Sequence, residues 1–165
     1  MINIEPTWKR RVTAKITEEF ICIIPQSGYR LAMAEPTAPE RLFAVDVADN
    51  VLGDALKNAL TESRFLTLEE AKGLRLAVES QDDRWARSLM DRYGYKSKQA
   101  LFKKMKSCSI VLSGNDLVFS PSHHEKLNSW SRSKDDGIED VVIAAGSSTE
   151  ELGAALRLAF SRCTE

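Results

Sequence analysis

No apolar run in the 165-residue sequence approaches the roughly 18 residues that a membrane-spanning helix needs. The segment from Met1 to Arg11 carries basic residues, but no apolar stretch follows them, so it does not read as a secretory signal. Cysteine is scarce. Cys22, Cys108 and Cys163 are odd in number, far apart and without Cys-x-x-Cys spacing, which excludes a disulfide framework and a structural zinc site. Each lies in an apolar segment and reads as a small buried hydrophobe, the alternative being a reactive thiol. These absences point to a cytoplasmic protein that binds no membrane. Charge of one sign is not in excess either: 23 basic against 24 acidic side chains leave −1. A dedicated nucleic-acid binder usually carries a basic surplus, so none is expected to bind directly, although a local patch remains compatible with that total. There is no Walker loop, no Gly-x-Gly-x-x-Gly and no Gly-x-Ser-x-Gly, and no cofactor is implied.

What is present is ordinary globular material, with 43% hydrophobic and 28% charged residues. The length suits one domain with a real core. Trp8 to Ile16 alternates, placing Trp8, Arg10, Val12, Ala14 and Ile16 on one face and Lys9, Arg11, Thr13 and Lys15 on a wet one, the pattern of a half-exposed strand. Phe20–Ile24 predicts a buried strand, Pro25-Gln26-Ser27-Gly28 a turn, and Tyr29–Met33 a returning strand. Two prolines make 35–39 a loop, and Leu42–Val47 predicts a fourth strand. Asp49 or Asn50 can cap a helix whose apolar face is Leu52, Ala55, Leu56, Ala59 and Leu60. The middle is helical and more polar. Thr67 with Glu70 resembles a capping box, Gly73 weakens the helix that follows, Gly94 stops it and Ser97 caps another. Ser113-Gly114-Asn115-Asp116 between two apolar triplets signals a hairpin. Asp140–Ala145 predicts a strand, and Ser147 or Ser148 opens a last helix facing inward through Leu152, Ala155, Leu156, Ala159, Phe160 and Cys163.

The two best helices echo each other. Leu52-Gly53-Asp54-Ala55-Leu56-Lys57-Asn58-Ala59-Leu60 aligns with Leu152-Gly153-Ala154-Ala155-Leu156-Arg157-Leu158-Ala159-Phe160. Small residues there let a helix approach a sheet closely. Chance likeness of two amphipathic helices is the alternative. If the echo is real, the fold is α+β: antiparallel sheets with two sheet-packing helices, in repeated strands-then-helix halves at about 1–64 and 107–165, and a helical insert at about 65–106, all within a single domain of residues 1–165. That order looks like the Whirly arrangement in topology, which transfers no function.

Three constellations invite a chemical reading. His123 and His124 are the only histidines. Adjacent residues diverge on a strand or a helix, so they serve one substrate atom poorly, and a structural or partner-binding role is preferred to catalysis. Asp135, Asp136, Glu139 and Asp140 form an acidic loop without a calcium-loop frame; it reads as a solvated turn or as a negative patch for a basic partner. Residues 96–106 are basic with Tyr93, Tyr95 and Phe102 interleaved. They read as an amphipathic helix, the alternative being a module for RNA or single-stranded DNA.

Three blocks carry a resemblance. The first is Tyr93-Gly94-Tyr95-Lys96-Ser97-Lys98 with Ala100-Leu101-Phe102-Lys103 and Met105. The second is Pro121-Ser122-His123-His124-Glu125-Lys126-Leu127 with Trp130, and the third is the helix from Leu152 to Ala159. In this order they resemble the CdiI immunity proteins of bacterial contact-dependent growth inhibition, over about Phe43 to Cys163. The resemblance implies a protein that is not an enzyme and that occludes the C-terminal toxin domain of its cognate CdiA protein in a 1:1 complex. Many such toxins are nucleases, often acting on RNA, and a phosphate-attracting site can be blocked by carboxylates. Asp135, Asp136 and Glu139, with His124 and Trp130 nearby in sequence, are the expected toxin contacts. The near-neutral total departs from the acidic composition of some nuclease inhibitors.

Overall fold

Alternation in β1 (Arg11–Ile16) sets the two faces of the sheet: Val12 and Ala14 are fully buried on one, while Arg11, Thr13 and Lys15 take the other. The computed structural model describes residues 8–165; Met1–Thr7, part of the segment weighed as a signal, lies outside the described residues. β1 pairs antiparallel with β2 (Ile21–Gly28) and with β5 (Lys106–Ser113), so that Ala14 stands opposite both Ile23 and Cys108. β6 (Asp116–Pro121) returns from β5 through Gly114 at φ 60°, as the hairpin signal predicts, and β9 (Val141–Ala144) adds beyond it. β3 (Ala32–Ala34) and β4 (Leu42–Phe43) both pair with β2. The strand order is β3-β2-β1-β5-β6-β9, antiparallel throughout, and β7 (His123–Lys126) with β8 (Ser129–Ser131) forms a separate ribbon.

Helices cover both faces. α1 (Asp49–Glu62) and α4 (Thr149–Ser161) lie on the Val12–Ala14 face, where Leu52, Leu56, Leu152 and Leu156 are fully buried. Each such leucine contributes roughly 1.5–3 kcal/mol of burial. α2 (Leu68–Tyr93) and α3 (Lys98–Phe102) serve the other face, where Phe20, Cys22, Leu89, Leu101 and Met105 make a second cluster. The fold is α+β, with an antiparallel sheet and four helices among the described residues.

Several local expectations hold. Thr67 and Glu70 form a capping box, Gly94 ends α2 at φ 76°, and Ser97 and Ser148 accept from Ala100 and Glu151 at the starts of α3 and α4. Others do not. Pro25 to Gly28 continue β2, and the turn comes at 29–31. Pro25 fits because its missing donor points at the gap between β3 and β4, where its carbonyl accepts from Glu35 N (2.8 Å). β4 stops at Phe43, and α1 starts after Ala48, which offers no side-chain cap; Asp49 instead sits in the first turn. Finally, Gly53 and Gly153 admit a neighbouring helix and not the sheet.

Candidate functional site

The face of β1 predicted to be wet is covered in part, because the long helical insert folds back over it. α2 spans roughly 39 Å for its 26 residues and is held mainly at its C-terminal half. There Leu89 is buried, Tyr93 stacks on Phe20 at 4.7 Å, and Trp85 meets Phe102. Further back Leu74 is buried, while Val78, Gln81 and Asp82 border open space beside β2 and β3. The result is a cleft of about 720 Å³ floored by Thr13, Lys15, Ile24 and Gln26 and walled by Gln81 and Trp85. Its outer rim is the 35–41 loop.

Glu35 fixes that rim. Its carboxylate is 2% exposed and accepts from Ser27 Oγ (2.6 Å), Thr37 Oγ1 (2.7 Å) and both arms of Arg64 (2.9 and 2.8 Å). Burial opposes ionisation, but the hydrogen bonds from Arg64, Ser27 and Thr37 win and hold the carboxyl at about 2. Arg41 is tied to Glu62 at 2.8 Å and Glu40 to Arg92 at 3.4 Å, so the rim's other two charges are also committed.

The opposite flank is built around Trp130. Its Nε1–H donates to the Met105 carbonyl (2.9 Å), Phe102 meets it edge-on, His124 stacks on it at 4.8 Å, and the Lys15 ammonium lies 3.8 Å from its ring centre. Beside it a recess of about 200 Å³ is lined by Thr13, Ser107, Ser109, Ser120, Ser122 and Arg132. Lys15 also reaches Ser107 Oγ (3.5 Å), and burial pushes its pKa below the ordinary lysine range. Lys15, Glu35 and Arg132 were not singled out from the sequence. Period-two alternation signalled the side on which Lys15 lies, but nothing local told that α2 would cover it.

The structure brings His124 and Trp130 together, as neighbours across the β7–β8 ribbon. The two histidines do diverge: His123 Nδ1 meets Thr164 Oγ1 (2.8 Å), and His124 Nε2 donates to the Leu127 carbonyl (2.7 Å). The acidic loop is largely turned on itself. Arg132 donates to Asp136 (2.9 Å), to Asp140 (2.7 Å) and to the carbonyls of Pro121 and Ile138. Asp136 also accepts from the amides of Ser133 and Ile138, which, with Arg132, lower its pKa. Asp135 and Glu139 are left exposed to solvent. The aromatics of the basic segment point inward: Tyr95 donates to Thr17 Oγ1 (2.9 Å), Phe102 sits between Trp85 and Trp130, and Lys98 pairs with Asp83.

Burial pushes the Cys22 thiol up to about 12 and also raises those of Cys108 and Cys163, which disfavours the thiolate form of each. Among the described residues no three His, Cys, Asp or Glu side chains converge as a metal set, and no helix is long and apolar enough to cross a membrane. The site's resources are a cleft, a half-buried cation, hydroxyls and an aromatic post. Those suit recognition of another chain's surface.

Comparison with known proteins gives the same direction. The model of the CdiI family, described as CDI immunity protein, matches residues 10–163. A curated relative, Immunity protein CdiI-YPIII of Yersinia pseudotuberculosis serotype O:3, is 38% identical, with 92% of this chain and 93% of the relative covered. Two solved structures share the fold. A protein of unknown function from Neisseria meningitidis matches at TM-score 0.86 and 30% identity, over 99% of both chains. A chain of the CdiA-CT/CdiI toxin and immunity complex from Yersinia pseudotuberculosis matches at TM-score 0.85 and 34% identity, covering 96% of this chain and 99% of that one.

Proposed function

Since the chain belongs to the CdiI family of CDI immunity proteins, we propose that it protects its cell by binding the cognate CdiA C-terminal toxin one to one and occluding the toxin's active site. It is a toxin-neutralising immunity protein, and that toxin domain is its partner. The carrying observation is the match of 34% identity and TM-score 0.85 to a chain of a toxin–immunity complex, over nearly the whole of both chains.

The finer reading is ours. The toxin is a nuclease, acting on RNA, and the protein transforms nothing itself; it works in the cytoplasm, where such a toxin would act. The five residues Asp135, Asp136, Glu139, His124 and Trp130 mark one flank of the toxin contact, and the cleft beside α2 marks the other. Trp130 supports this placement, because it belongs to the flank that borders Lys15 on the cleft floor. Exposed Asp135 and Glu139 supply negative charge suited to an electropositive nuclease site. The Whirly-like description is kept for the strand-and-helix order alone. The alternative, a module binding RNA or single-stranded DNA through 96–106, loses support because Tyr95 and Phe102 are engaged within the fold.

The test is inhibition at stoichiometry. The purified toxin domain should degrade RNA, and one molar equivalent of this chain should stop it, with a His123→Ala variant still inhibiting and a His124→Ala variant still folded. An RNase activity of this chain alone, lost in either variant, would contradict the reading.

A further inference from the structure

Lys15 is a cation without a carboxylate. Among the described residues none comes within the 4.0 Å of an ion pair, and its ammonium is held by the Trp130 ring at 3.8 Å and by Ser107 Oγ at 3.5 Å. Apart from Arg84, exposed on α2, the other cations and most of the acids around it are engaged. Glu35 is bound by Arg64, Arg41 by Glu62, Glu40 by Arg92, and the Arg132 guanidinium by Asp136 and Asp140. Asp82 on α2 contributes only a longer-range attraction. An ammonium on the floor of a cleft has lost much of its water, and a ring face plus one hydroxyl replaces that hydration incompletely. Such a group gains most from an incoming anion.

The surroundings specify which anion. A phosphate would call for several cations converging on one point; Arg84, the other cation without an ion pair at the cleft, is exposed on α2, and Lys15 is the one unpaired cation beside the Trp130 ring and the recess. A carboxylate needs one cation and a few neutral donors, and Thr13, Ser107 and Ser109 line the adjoining recess. We propose that Lys15 is the receptor for a side-chain carboxylate, an Asp or Glu carried by the toxin segment that enters the cleft. This rests on the immunity reading above and deepens it, since it names a contact by which one toxin is told from another: a toxin lacking the acid would leave the ammonium desolvated and unpaired.

The experiment measures two quantities on the full chain, with Lys15→Met and Lys15→Gln. Removing a poorly compensated cation should leave the free protein's melting temperature equal or higher, while weakening binding to the purified cognate toxin domain at least about tenfold by calorimetry. An acid-to-amide scan of the toxin domain should then find one position that costs a similar factor against wild type and little against Lys15→Met, the signature of a direct pair. Unchanged toxin affinity in both variants would overturn the proposal. So would a lowered melting temperature in both, which would make Lys15 a prop for Trp130, or a scan additive with Lys15→Met at every position. Absence of any complex with the wild-type chain is a separate outcome and overturns the immunity reading together with this one.

Discussion

Gly53 and Gly153 make the same contact in opposite directions. A Cβ on Gly53 would stand 1.9 Å from the carbonyl oxygen of Thr149, the first residue of α4, and one on Gly153 would stand 2.0 Å from that of Asp49, the first residue of α1. The N-terminal turns of the two helices therefore run past each other antiparallel, at backbone contact. Arg157 of α4 clamps the crossing, donating to Asp49 (2.7 Å) and to the carbonyls of Val45 and Val47.

A methyl group at either glycine has nowhere to go, since the obstructing atoms are backbone. Gly53→Ala and Gly153→Ala should each destabilise the protein by about 1–3 kcal/mol or more. Gly73, inside α2, has nothing within 4 Å of its missing Cβ. Gly73→Ala should stabilise by about 0.5–1 kcal/mol, through helix propensity and unfolded-state entropy. Urea titration of the three variants checks both signs.

The rim of the cleft should be sensitive to acid. Glu35 is held at about 2 against an unperturbed value of 4.5. Its contribution to stability is thus complete above about 4.5 and fades as pH falls toward 2. Allowing for the half-exposed Arg64 partner, the loss is roughly 1–3 kcal/mol. Glu35→Gln should lower stability at pH 7 and flatten the fall between pH 4.5 and 2. Equal slopes for wild type and variant over that window would show that the carboxylate is not held as described.

The acidic loop divides into structural and solvent-facing charges. Asp136→Ala removes a partner of Arg132 and the acceptor of two amides. It should lower the melting temperature. Asp135→Lys with Glu139→Lys touches no such bond and should leave that temperature unchanged, while slowing association with a basic toxin surface several-fold, most at low salt. Stopped-flow association rates and thermal melts separate the two effects.

How much of this could be read in advance depended on how local the cause was. Capping at Thr67, Ser97 and Ser148, the Gly114 hairpin and the α1 and α4 faces are written within a few residues, and these match the structure. The aligned glycines were visible too, but their reciprocal fit needs both helices in place. Pro25 misled because turn chemistry and an edge gap use the same residue, and only the departure of the 35–41 loop decides between them. Lys15 was legible as a polar alternation and no more. Its neighbours Trp130 and Ser107 are more than ninety residues away in sequence, and the cleft exists only once α2 and the 35–41 loop flank the sheet. For the acidic loop, composition suggested free negative charge, whereas Arg132 had already claimed part of it.

Protection inside a living cell bears on the central claim most directly. Bacteria induced to make the cognate CdiA C-terminal domain in the cytoplasm should stop growing, and co-production of this chain, but not of an unrelated immunity protein, should restore growth with the two proteins recovered as one complex. Continued arrest despite abundant folded protein, with no complex recovered, would contradict it.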